Sequence, residues 1–90
     1  MPIIFETADT MEADFTVFPT TVESEADLVI YEDEEGDFDG LAFWSYADDA
    51  DEARYVVAYL ESADEADMII SFTDSPDQAK VVNATIKRFF

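Results

Sequence analysis

Apolar residues come in short runs, each closed off by acids or turn formers. Ile3-Ile4-Phe5, Phe15-Thr16-Val17-Phe18 and Leu28-Val29-Ile30-Tyr31 have strand length and strand composition. Leu41-Ala42-Phe43-Trp44-Ser45-Tyr46 follows the turn-rich stretch 33–40, so residues 28–46 read as a β-hairpin with a long acidic tip. Gly36 and Gly40 lend that tip its backbone freedom. Residues 49–62 predict a helix, because Ala53, Val56, Val57 and Leu60 recur at the spacing of one buried stripe. Asp48 or Asp49 can cap it, with Asp51 and Glu52 in the first turn. Met68 to Thr73 predicts a further strand. Ser75-Pro76-Asp77-Gln78 has the pattern of a capping box opening a last helix. The expected order is ββββαβα. This is an α+β fold, a mainly antiparallel sheet of about five strands with two helices on one face, in a single domain spanning 1–90.

Charge changes that picture. The 90 residues hold 23 Asp and Glu against 4 Lys and Arg, a formal net charge of −19. Arg54 is the lone base before residue 80, whereas Lys80, Lys87 and Arg88 stand in an acid-free end. Solubility asks for a net charge of only about 2–8, and repulsion on this scale opposes compaction. A composition of 49% hydrophobic residues with eight Phe, four Tyr and Trp44 still supplies enough apolar surface for a folded core.

The absence of Cys and His removes thiol and imidazole catalysis and the usual zinc sites. Two isolated glycines cannot build a phosphate-cradling loop. No enzyme, cofactor or metal is expected. An EF-hand register on Gly40 sets Glu35, Asp37 and Asp39 at ligand positions but places Tyr46 where a bidentate Glu belongs. Direct nucleic-acid binding is disfavoured by phosphate repulsion. No apolar run is long enough to span a membrane, and the lack of Cys fits a cytoplasmic location. Glu12-Ala13-Asp14, Glu25-Ala26-Asp27 and Glu65-Ala66-Asp67 each lead into an expected strand, either by composition or because carboxylates line strand ends. No repeat of 20–50 residues stands out.

The acids themselves are the candidate site: Glu32, Asp33, Glu34, Glu35, Asp37 and Asp39 at the hairpin tip, then Asp48, Asp49, Asp51 and Glu52, then Glu61, Asp64 and Glu65. Carboxylates two apart on a strand or four apart on a helix can be arranged to match phosphate-binding cations. Small size, extreme acidity and an α+β pattern resemble the phage-encoded DNA mimics, among them the anti-CRISPR proteins. The resemblance implies a monomeric or small homo-oligomeric inhibitor occupying the cationic site of a DNA-binding protein or CRISPR effector complex. Phe38 or Tyr46 would then serve as an apolar anchor. Two alternatives share the charge: an immunity protein masking a basic nuclease site, and an acidic domain adapted to high salt.

Overall fold

The computed structural model describes residues 2–36, 38 and 40–90. Seven strands form: β1 (Ile3–Thr7), β2 (Phe15–Pro19), β3 (Leu28–Glu32), β4 (Phe43–Tyr46), β5 (Tyr55–Tyr59), β6 (Met68–Thr73) and β7 (Lys80–Val81). The first six are all parallel and close into a barrel in the order β1-β5-β2-β6-β3-β4, with β4 returning to β1. Short β7 lies antiparallel on the N-terminal half of β3.

The expected α+β fold with an antiparallel sheet is therefore corrected to an all-parallel barrel with almost no helix. Strand positions within residues 1–46 and 68–73 match the reading of the sequence, but their pairing does not. β3 and β4 run parallel rather than as a hairpin, joined by residues 33–42. The helix expected over 49–62 is a single 3-10 turn, Ala50–Glu52, followed by β5. Tyr55-Val56-Val57-Ala58-Tyr59 is aromatic and β-branched, and such residues pack best on a pleated surface. Its helical spacing arose because β5 is covered on both faces, which erases simple alternation. The last expected helix breaks into a 3-10 turn (Pro76–Gln78), β7, and a 3-10 helix (Ala84–Phe89).

Inward-facing Ile4, Phe15, Val17, Leu28, Ile30, Trp44, Val57, Met68 and Ile70 fill the barrel. Six strands enclose a narrow interior, so side chains leave no channel. Val29 and Ala58 point outward yet are fully buried, because the connections cross over them. Those connections are only six to ten residues long, shorter than the usual helical crossover.

A 40-residue duplication, which escaped the sequence reading, organises the barrel. β1, β2 and β3 begin forty residues before β4, β5 and β6 respectively. At that offset Glu12, Ala13, Val17, Glu25, Ala26, Asp27 and Ile30 recur as Glu52, Ala53, Val57, Glu65, Ala66, Asp67 and Ile70. The copies interdigitate, so each strand of one lies between two strands of the other.

Candidate functional site

All six barrel strands point one way, so the barrel has an N-terminal mouth and a C-terminal mouth. In parallel barrels the C-terminal mouth is the usual site of chemistry. Here it holds Tyr46 of β4 and Tyr59 of β5, whose hydroxyls lie 3.2 Å apart. The carboxylates of Glu6 on β1 and Glu32 on β3 act on both phenols. Burial, then the bond to Tyr59, then the nearby negative charge push Tyr46 far above the ordinary phenol range. Burial likewise pushes Tyr59 up to about 12, although its bond with Tyr46 pulls it down. Either hydroxyl can donate in this bond.

Both phenols thus hold their protons more firmly in the folded protein than in the unfolded chain, where tyrosine titrates near 10. Their contribution to stability is complete below pH 10 and is lost as pH rises toward 12 and beyond. Urea midpoints followed from pH 8 to 12 should fall above pH 10, and less steeply in Tyr46→Phe.

The proposed site residues distribute over three connections. Glu32 closes β3 at the C-terminal mouth, and Glu34 and Glu35 are exposed in the turn beyond it. Asp33 is 4% exposed. Its carboxylate accepts from the amides of Gly36 (3.1 Å) and Phe38 (2.8 Å), so it organises the loop instead of facing a partner. Asp37 and Asp39 lie outside the described residues. Asp48, Asp49, Asp51 and Glu52 are exposed between β4 and β5, with Asp49 accepting from the Asp51 amide. Glu61, Asp64 and Glu65 are exposed between β5 and β6. Phe38 stacks on Phe43 at 5.1 Å on the outer wall, and Tyr46 is half-buried in the mouth. Glu6 and Tyr59 were missed; the alternation Tyr55-Val57-Tyr59 was the signal that could have found Tyr59.

Acids also occupy the other connections: Asp9, Glu12 and Asp14, then Glu23, Glu25 and Asp27, then Asp74 and Asp77. All six connections therefore carry carboxylate. The bases are not so spread. Arg54 precedes β5, Lys80 pairs with Val29 near the start of β3, and Lys87 and Arg88 belong to the helix at the N-terminal mouth. Every base sits toward that mouth.

Three of the acids explain the Glu-Ala-Asp echo. Asp14 donates its amide to the Val56 carbonyl (2.6 Å), and the Val56 amide returns a bond to the Asp14 carboxylate (2.8 Å). Asp67 brackets Thr16 in the same way, at 3.0 and 2.9 Å, and Asp27 brackets Ile69 at 2.7 and 2.9 Å. Each bracket ties the entry of one strand to the adjacent strand, which belongs to the other copy. Arg54 keeps the backbone bond, to the Ile3 carbonyl at 2.8 Å, without a carboxylate to complete it.

Two open depressions stand out among the described residues. One of about 180 Å³ lies between Pro2, Leu41, Arg54, Tyr55 and Phe90. The other, about 540 Å³, is lined by Pro19, Thr20, Thr21, Ser71 and Phe72 and contains no acid or base. Among the described residues no group of acids is placed to hold a metal ion, and no helix is long and apolar enough to cross a membrane.

A single chain that laps a parallel barrel twice, inserting its second copy into gaps left by the first, defines the class of entangled barrels. The chain belongs to the 7(1) septoil knot domain family, whose pattern matches residues 1–82. This family replaces the expected kinship with phage DNA mimics and anti-CRISPR proteins. No curated protein and no solved structure matches the chain significantly.

Proposed function

We propose that this is a non-enzymatic acidic domain adapted to concentrated salt, its carboxylates keeping a hydrated cation layer around a knotted apolar barrel. The observation that carries the reading is the spread of acids over all six connections and both mouths. A competitor for one cationic groove needs carboxylates on one side only, whereas a solvation coat needs them everywhere. At −19 the coat repels itself in dilute buffer, and added cations relieve that repulsion. Thermal melting in KCl tests it. Stability should climb steeply to about 0.15 M, where the Debye length falls to roughly 8 Å, and continue climbing into the molar range. A melting temperature that stops rising near 0.15 M would leave ordinary screening as the whole effect and end the proposal.

A second reading has its own observation. With every base toward the N-terminal mouth, Glu6, Glu32, Asp48 and Glu61 at the other end have no cation among them. That end suits a basic protein surface, such as a nuclease or DNA-binding site, which it would mask by steered association. Competition between the domain and duplex DNA for a basic DNA-binding protein separates the two. Undiminished DNA binding with the domain in excess removes this second reading.

A further inference from the structure

The N-terminal mouth is closed by a segment unlike the rest of the chain. Asn83 caps the 3-10 helix Ala84–Phe89 through its bond from the Thr85 amide, 3.1 Å long. Ile86 is buried at 3% exposure. The rings of Phe89 and Phe90 lie 5.8 and 5.1 Å from Phe15, and Phe90 is 5.2 Å from Tyr55 and 6.3 Å from Trp44. Beyond Asn83, the one described side-chain hydrogen bond to the barrel runs from the Tyr55 hydroxyl to the Phe90 carbonyl, at 2.9 Å.

Three features set this plug apart. It lies beyond the residues that match the family, which end at 82. It carries Lys87 and Arg88 and no acid, against a barrel that is almost wholly acidic. From Ala84 to Phe89 its backbone is 3-10, a helix of poor hydrogen-bond geometry that does not persist without tertiary support. It therefore meets the barrel as a ligand meets a receptor, with apolar anchors in an aromatic socket and two cations set against the net negative charge of the whole barrel, although Arg54 also lines this mouth.

We propose that the N-terminal mouth is a binding site for a basic peptide bearing aromatic residues, and that residues 84–90 occupy it in cis as an exchangeable plug. The plug opens and closes while the barrel stays folded. This does not depend on the salt-adaptation reading.

The full-length protein tests it in two ways. In native-state hydrogen exchange, the amides of Ile86 and Phe90 should exchange at least about 100-fold faster than those of Val29 and Ile70, through local opening. Equal protection would overturn the proposal, since the plug would then open only with the barrel. In the double variant Phe89→Ser, Phe90→Ser, the barrel amides should stay protected while Trp44 becomes more open to acrylamide quenching. Added peptide Ala-Thr-Ile-Lys-Arg-Phe-Phe should then restore Trp44 protection saturably. The same peptide with Glu at both basic positions should bind about tenfold more weakly in dilute salt. Loss of all barrel protection in the double variant, or an intact barrel that takes up no peptide, would overturn the proposal.

Discussion

Refolding from urea is expected to take about a second or longer, although the chain has only 90 residues. Small helical domains fold in microseconds to milliseconds, and chains dominated by non-local pairing in milliseconds to seconds. This barrel lies beyond that slower group. Apart from β3 with β4, its adjacent strands are three or four strands apart in sequence, so few contacts form early to repay the cost of loop closure. Interlacing adds a second delay. β5 and β6 enter between strands of the first copy, so chain must pass around strands already in place. Folds that thread their own chain are rare. Stopped-flow fluorescence of Trp44, fully buried in the barrel, reads this directly. Single-exponential recovery within tens of milliseconds would mean that threading imposes no barrier.

Replacing Asp14, Asp27 and Asp67 together by Ala should lower stability by about 2–4 kcal/mol. The half-buried Asp27 bracket contributes the largest share, and the two exposed brackets about 0.5–1 each. That is a large fraction of the 5–15 kcal/mol typical of a domain. A triple change at Asp48, Glu61 and Asp64, all exposed and outside the brackets, removes the same formal charge and should be neutral or stabilising. Urea midpoints compare them. Equal behaviour of the two triples would show that position in the fold does not distinguish these acids, and that the brackets contribute nothing.

Five of the seven strands were legible because Ile, Val, Phe and Tyr gather between acids and turn formers. Parallel pairing was not, because alternation fixes a strand without naming its neighbour. β5 was misread because burial on both faces placed Val56 beside Val57, and that pair completes a helical stripe with Ala53 and Leu60. The duplication was hidden at positions such as Phe5 and Ser45, where equivalent places carry unlike residues. The Glu-Ala-Asp echo was visible, but its meaning required knowing which amide each carboxylate reaches. Asp33 illustrates the converse, since an acid in an acidic run gives no sign that, among the described acids, it alone is buried.

Interdigitation also alters what it means to cut this protein. A nick within residues 33–42 would yield one piece bearing β1 to β3 and another bearing β4 to β7, each strand of the first wedged between strands of the second. Such pieces form a single interlocked body, held as clasped fingers are held. A protease that reaches the exposed turn at Glu34 and Glu35 would break a bond without releasing a fragment, and separation would wait for the whole barrel to melt.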